Sequence, residues 1–265
     1  MKTKVLIFIC LSIILSLSCT QDKVVPIKIM SYNIRHGEGM DNVLDLSRSA
    51  DVIISQAPDL CALQEVDHFC LRSDSIGQTD YLAEKTHMKG TFGKFMAFQG
   101  GEYGMATLSA KSLISTKVLP LPMGKHEPRS AIIHEVQIAN GCTIAFANVH
   151  FDWVSGQEGV SIRLSQAKAL MKYIDTLNQA TIITGDFNCT PDSPTMRYFA
   201  DQGFVFVKKG ADNLSYQGTD NKEEIDHVIY RNTNLVKLKE KSIRLLKEAL
   251  VSDHRPLIAE FEVIF

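Results

Sequence analysis

The sequence predicts an α/β domain built on mixed sheet, from three features. Short apolar runs recur, and each ends in a cluster of polar residues, as at residues 27–32, 60–63 and 181–184. Stretches with apolar residues at helical spacing lie between several of these runs. Across residues 91–149 strand-like runs follow one another without a helical stretch, which argues for antiparallel sheet in the middle of the chain. A chain of 265 residues, 45% hydrophobic and 22% charged, suits one globular domain with a sizeable core, or at most two small ones. No internal repeat or low-complexity segment breaks it.

Residues 1–19 stand apart. Lys2 and Lys4 precede an apolar run over residues 5–17, and Ser16, Ser18 and Cys19 follow. A basic start, a short apolar core and small residues are the features of a secretory signal. The run is short for a membrane-spanning helix, which needs about 20 residues. An exported product is expected, with residues 20–265 as a single domain. Cys19 resembles the lipid-bearing cysteine of bacterial lipoproteins, although Leu17 and Ser16 depart from the usual order of that signal. Cleavage near Ser18 to a soluble periplasmic or extracellular product is the alternative.

Without Lys2 and Lys4 the formal charge of −2 becomes −4. A mildly acidic domain has no global attraction for polyanions, which counts against nonspecific nucleic-acid binding. Beyond Cys19 remain Cys61, Cys70, Cys142 and Cys189. Cys61 and Cys142 sit in apolar runs, where a free thiol behaves as a small core residue, so unpaired cysteines are expected. No C-x-x-C occurs, which removes a zinc knuckle.

Taken in order, the elements read as follows. Residues 27–32 form a strand that ends in Asn33-Ile34-Arg35-His36-Gly37. Val43, Leu46, Ala50, Ile53 and Ile54 predict a helix, capped by Asp41 or Asn42 and ended at Pro58. Residues 60–63 are the second strand, closed by Gln64-Glu65-Val66-Asp67. Residues 78–88 read as helix, 91–99 as strand and 100–104, rich in glycine, as a flexible loop. Residues 105–109 and 113–119 read as one strand pair, and 131–138 and 142–149 as another. His150-Phe151-Asp152-Trp153 follows. A long amphipathic helix carries Val160, Leu164, Ala167, Met171 and Ile174. It leads to the buried strand that ends in Gly185-Asp186-Phe187-Asn188. Asp186 and Asn188, two apart in extended chain, would project together from the strand end. The plainer alternative is an Asx turn capping the strand. Ile225-Asp226-His227 opens another strand, in which His227 points away from Asp226's side. Lys237, Lys239 and Lys241 mark a solvated strand face that discourages edge pairing. Ser252-Asp253-His254 is a polar turn before the closing strand at 258–265.

Each polar cluster alone is a weak signal. Their order is not. Asn33, Leu63-Gln64-Glu65, His150, Gly185-Asp186-Phe187-Asn188, Ile225-Asp226-His227 and Ser252-Asp253-His254 together resemble the endonuclease/exonuclease/phosphatase superfamily, over residues 27–265. That group includes DNase I, the abasic-site endonucleases, neutral sphingomyelinases and inositol polyphosphate 5-phosphatases. Tyr32 to Gly37, Arg72-Ser73 and Glu127-Pro128-Arg129 look like a compact bacterial branch, similar to a eukaryotic group linked to glycosylphosphatidylinositol-anchor remodelling.

The resemblance implies a four-layer α/β/β/α sandwich of two mixed sheets and a metal-dependent hydrolysis of phosphate esters. It implies Glu65 as first metal ligand, assisted by Asn33, with Asp253 direct or through water. Oxygen ligands suit Mg²⁺, with Mn²⁺ as substitute. Asp186 would activate the attacking water, and Asn188 and His150 would donate to the phosphoryl group. His254 would contact the phosphate from the other side, with Asp226 holding its charge. Arg35, His36, Arg72, Tyr103 and Arg129 are candidate substrate contacts. A phospholipid head group or sugar phosphate suits an acidic exported domain better than nucleic acid does. The competing reading is a binding module of the same fold that has lost catalysis. A monomer is expected.

Overall fold

The computed structural model describes residues 22–265 except 220 and 249. The signal read over residues 1–19, with Cys19, lies outside the described residues. The elements in chain order are β1 (Val24–Asn33), α1 (Leu46–Gln56), β2 (Leu60–His68), α2 (Gln78–Thr86), β3 (Lys89–Phe98), β4 (Gly101–Ser109), β5 (Ser112–Pro120), β6 (Ser130–Ala139) and β7 (Cys142–His150). There follow α3 (Gly156–Leu177), β8 (Thr181–Asp186), α4 (Pro194–Asp201), the short β9 (Val205–Phe206), β10 (Tyr216–Gln217) and β11 (Lys222–Glu223), then β12 (Asp226–Arg231), β13 (Lys237–Leu245) and β14 (Leu257–Ile264).

Two six-stranded mixed sheets result, in the orders β13-β14-β1-β2-β4-β3 and β5-β6-β7-β8-β12-β9. Each contains one parallel pair, β1–β2 and β7–β8. Each parallel pair is joined by a long crossover that contains a helix, the usual form such a connection takes. Three apolar clusters separate four layers. Ile29, Ala62, Phe146, Ile182 and Phe261 pack between the sheets. Ala50, Ile53 and Leu82 of α1 and α2 pack on Tyr32, Cys61 and Leu63 of the first sheet. Ala167, Leu170, Ile174 and Phe199 of α3 and α4 pack on Val149 and Ile183 of the second. The central strands are therefore apolar on both faces, which is why they read as continuous runs rather than alternating ones.

Parity assigns the faces. On β7, Ile144, Phe146, Asn148 and His150 face the other sheet, and on β8 so do Ile182, Thr184 and Asp186. The two sheets are tied across the seam by Asn148, whose amide donates to Leu63 O at 3.1 Å and Ala106 O at 2.8 Å. Its oxygen accepts from Gln64 Nε2 at 2.8 Å.

Several sequence expectations are corrected. The strands at 105–109 and 113–119 are not paired with each other: β4 lies between β2 and β3, whereas β5 pairs with β6 in the second sheet. Consecutive strands normally pair, and here the connection crosses from one sheet to the other. The glycine-rich residues 101–104 are strand, not flexible loop. Gly104 is needed for close approach, since a Cβ there would lie 2.1 Å from Gly93 O. The α1 cap is Asp45, which accepts from Ser47 N, while Asp41 instead pairs with Arg48 at 2.9 Å. The four cysteines within the described residues are free and buried. Lys237, Lys239 and Lys241 lie on β13, the outer strand of its sheet.

Asn148→Ala removes both cross-seam donors and leaves buried acceptors unmet. A loss of about 3 kcal/mol is expected, read as a lower urea midpoint with unchanged m-value.

Candidate active site

Three neighbouring strands deliver the centre of the site. In the parallel pair β7–β8, His150 stands opposite Asp186, and in the antiparallel pair β8–β12, Asp226 stands opposite the same residue. Residues opposite one another share a face. One row across the sheet therefore presents an imidazole and two carboxylates at the open end of the seam. His150 Nε2 lies 3.6 Å from Asp186 Oδ2. His254, from the turn before β14, brings its Nε2 to 3.7 Å from the same oxygen, and its Nδ1 is 2.8 Å from Asp226 Oδ2. Gly185 permits this packing: its φ is +146°, and a Cβ there would lie 1.9 Å from Val149 O.

Glu65 comes from the first sheet by a different device. Parity would turn it outward with Cys61 and Leu63. A bulge between Gln64 and Val66, with Glu65 at φ +55°, resets it. Bulges re-aim side chains in this way next to functional sites. Glu65 lines the cleft and accepts Asn33 Nδ2 at 3.0 Å. The same amide reaches Asp186 Oδ2 at 3.3 Å, so Asn33 couples the two carboxylates. Two residues of the cleft wall, Glu65 and Asn188, hold positive φ, a strained conformation for residues with a side chain.

The cleft holds about 930 Å³ and is lined by Glu65, Arg72, Phe98, Tyr103, Arg129, His150, Trp153, Asp186, Asn188, Asp253 and His254, among others. Glu65 and Asp253 both line the cleft, and carboxylate oxygens are the hard donors that suit Mg²⁺ or Mn²⁺. Asp186, Asp226 and His254 also lie close enough to bracket an ion, all donor atoms falling within 4.8 Å of one another. In that cluster, however, the His254–Asp226 hydrogen bond engages His254 Nδ1.

Residues 30–254 match the family model described as Endonuclease/Exonuclease/phosphatase family. The chain belongs to the endonuclease/exonuclease/phosphatase family. Members of this family are phosphoester hydrolases. Two solved structures share the fold. One is an endonuclease/exonuclease/phosphatase from Beutenbergia cavernae (TM-score 0.74, 17% identity, 89% of this chain and 71% of that one). The other is from Bacteroides vulgatus (TM-score 0.71, 22% identity, 89% and 98%). A UPF0294 protein of Vibrio campbellii (strain ATCC BAA-1116) is 26% identical over 144 residues, 51% of this chain. The match spans 45% of that relative, so the chain covers less than half its length.

The electrostatics of this family member follow from burial. Burial pushes Asp186 up to about 7, against the pull of His254 and with the push of Asp226 and Glu65. Burial also works against charge on His254, but Asp226 and Asp186 outweigh it and raise the imidazole to about 10. Asp226, although buried, is held below the usual carboxylate range by His254. Burial, Arg129 and His254 hold His150 far below 6.5, so it is neutral. Near pH 7 the site thus contains an imidazolium–carboxylate pair, a neutral imidazole and a carboxylate balanced between its two forms.

The structure gathers Glu65, Asn33, His150, Asp186, Asn188, Asp226, Asp253 and His254 at one end of the seam. It also shows contacts that the sequence did not reveal. Asn33 turns its amide to Glu65 and Asp186, and its oxygen accepts from Arg35 N at 3.1 Å. Asn188 is placed by a turn and not by strand parity: its N–H donates to Asp186 Oδ1 at 2.8 Å, an Asx turn, and its amide to Phe151 O at 2.9 Å. Arg35 and His36 are not among the residues lining the cleft. Arg35 pairs with Glu38 at 3.3 Å and lies 3.9 Å from Asp253, and His36 Nε2 is 3.7 Å from Glu38.

Phe151 is core and Trp153 is on the cleft wall. His227 faces away, with Nε2 2.9 Å from Cys189 O. Sequence reasoning missed Ser215, whose hydroxyl accepts from Ile225 N and Asp226 N, and Tyr216, whose ring lies 5.0 Å from that of His254. Both fall in a stretch without apolar periodicity, so only long-range contacts reveal them.

In the cation-free protein, the His254 ring should titrate near pH 10 by NMR, and Asp226→Asn should bring it well below that. Because His254 is raised above its unfolded 6.5 and Asp226 lowered below its unfolded 3.8, this pair's stabilisation is full between those two values, is lost as pH rises towards 10 and is lost again as pH falls below 3.8. An infrared carboxyl band that disappears near pH 7 and is absent in Asp186→Asn should report Asp186.

Proposed function

We propose that the chain is an exported, divalent-cation-dependent phosphoric ester hydrolase in which Asp186 activates water. The observation that carries this is the convergence of two imidazoles, at 3.6 and 3.7 Å, on the single Asp186 carboxylate in the cleft. A general base works best when its own pKa lies near the operating pH, and Asp186 at about 7 meets that condition. Asn188 N–H fixes one oxygen of this base, and Oδ2, which accepts from Asn33 Nδ2 at 3.3 Å, has a second lone pair for the water proton.

Charge builds on the phosphoryl oxygens during in-line attack, and fixed donors must meet it. His254, kept charged by Asp226, supplies a cationic N–H from Nε2. His150 supplies a neutral one, and the free N–H of the Asn188 amide a third. A divalent cation held by Glu65 and Asp253 would neutralise phosphoryl charge in the ground and transition states. Mg²⁺ is the expected ion, with Mn²⁺ in its place at need. Asn33 holds Glu65 and Asp186 in register for both tasks.

Export is supported by Lys2, Lys4 and the apolar run at residues 5–17, with either a lipid at Cys19 or a free N-terminus. No described helix is long and apolar enough to cross a membrane. A phospholipid head group or sugar phosphate fits the acidic composition better than nucleic acid. A catalytically silent module is disfavoured because no acid or imidazole of the set is missing.

With Mg²⁺, a panel of DNA, RNA, sphingomyelin, phosphoinositides and sugar phosphates should show turnover of at least one ester. Asp186→Ala and His254→Ala should each lower kcat by about a hundredfold or more at unchanged melting cooperativity; activity within a few-fold of wild type removes that residue from the mechanism. Calorimetric titration with Mn²⁺ should show binding that Glu65→Gln weakens at least tenfold.

A further inference from the structure

We propose that Ser215 is a positioning residue for the hydrolytic centre: it clips Asp226 to His254 across the seam and so holds the imidazole in place for the phosphoryl group. This rests on the hydrolase reading and adds to it a residue that does not line the cleft.

Asp226 and His254 reach their 2.8 Å contact from different sheets. Asp226 begins β12 of the second sheet, and His254 sits in the turn before β14 of the first. The two strands do not pair, so the ladder within each sheet does not set where one residue stands relative to the other.

The segment between β9 and β12 supplies the link. Ser215 is 0% exposed. Its carbonyl accepts from the N–H of Arg255, the residue after His254, at 2.8 Å. Its hydroxyl accepts from Ile225 N at 3.2 Å and from Asp226 N at 3.0 Å. A hydroxyl has two lone pairs and one proton. With both lone pairs engaged, the proton goes to the Asp226 carboxylate. Burial works against charge on that carboxyl, and His254 first, then the Ser215 hydroxyl, hold it low.

Neighbours in the segment grip the same two residues. Tyr216 forms an isolated antiparallel bridge with His254, and Gln217 N donates to Asp253 O at 2.7 Å. Lys209 donates from Nζ to Asp226 O at 2.9 Å. Each of these contacts holds one of the two chains. Of the four residues, Ser215 is the one that bonds to both chains and to the carboxylate itself. Without its hydroxyl the Asp226 side chain is free to turn, and His254, bonded to it, follows. A misplacement of about 1 Å can cost a hundredfold in rate. A residue that only filled this space would be replaced by alanine at no cost to kcat.

The test compares Ser215→Ala with Ser215→Thr on bis(p-nitrophenyl) phosphate in Mg²⁺, in variants that keep wild-type melting cooperativity. Ser215→Ala should lower kcat about tenfold or more and change KM less than about twofold. Ser215→Thr keeps the hydroxyl and should recover to within about threefold of wild type. Should its methyl group prevent folding, Ser215→Cys keeps a weak donor and acceptor and should fall between wild type and alanine. In a His254→Ala background, Ser215→Ala should cost less than about twofold, because the group it positions is gone. Full kcat in Ser215→Ala, or the same fold loss with and without His254, overturns the proposal. If wild type turns over neither this diester nor any other phosphate ester with Mg²⁺ or Mn²⁺, the hydrolase reading fails separately. The proton NMR spectrum of the cation-free protein then decides the role of Ser215. The low-field resonance of His254 Nδ1–H, identified by its loss in Asp226→Asn, should move upfield or broaden away in Ser215→Ala. An unchanged resonance in Ser215→Ala overturns the proposal.

Discussion

Two sheets must bury their inner faces against each other, and this constraint organises the molecule. The seam is apolar through Ile29, Ala62, Phe146, Ile182 and Phe261. Towards one end the same inward parity delivers polar residues instead: Asn33 on β1, Asn148 and His150 on β7, Asp186 on β8 and Asp226 on β12. Polar groups in such a place must be partnered, and they partner across the seam. Asn148 bonds carbonyls of the facing sheet, and Asn33 reaches Asp186 from the facing sheet. The amides that hold the layers in register are thus continuous with the groups that would perform chemistry.

Burial then sets the proton inventory. A lone carboxylate at this depth is driven towards its neutral form, and a lone imidazole towards its free base. Asp186 and His150 follow that rule. Asp226 and His254 escape it because their hydrogen bond at 2.8 Å stabilises the charged form of both. Four titratable groups at the end of one seam therefore hold three different charge states near neutral pH. Their separation arises from which neighbours share a bond, not from residue type.

Two β-bulges extend the site beyond what regular strands could offer. The bulge at Glu65 brings a carboxylate from the outer to the inner side of its strand. The bulge beside Phe95 places a ring between His150, Tyr103 and Arg129. Loops complete the wall. The Trp153 loop is held by Arg163, and Tyr216 is held against His254 by an isolated bridge. Variation in such loops can change what enters the cleft without disturbing the seam.

The order of polar clusters along the chain carried the resemblance that named the family and, through it, the layered fold, and it picked out acids and imidazoles that the folded chain brings together. Each cluster is local, and strand parity is a property of consecutive residues, so His227 could be set aside and Asp226 retained from the sequence. Tertiary structure decided what depends on contacts far apart in the chain. The pairing of β5 with β6 rather than β4 is one case, since propensity identifies strands but not the sheet they join. The contacts of Asn33 are another, because they involve carboxylates 32 and 153 residues away. The turning of Glu65 required a left-handed residue that no glycine announces. The link that Ser215 makes between the chains of Asp226 and His254 exists only because the fold brings three separate segments together at the end of the seam, a circumstance that no local pattern encodes.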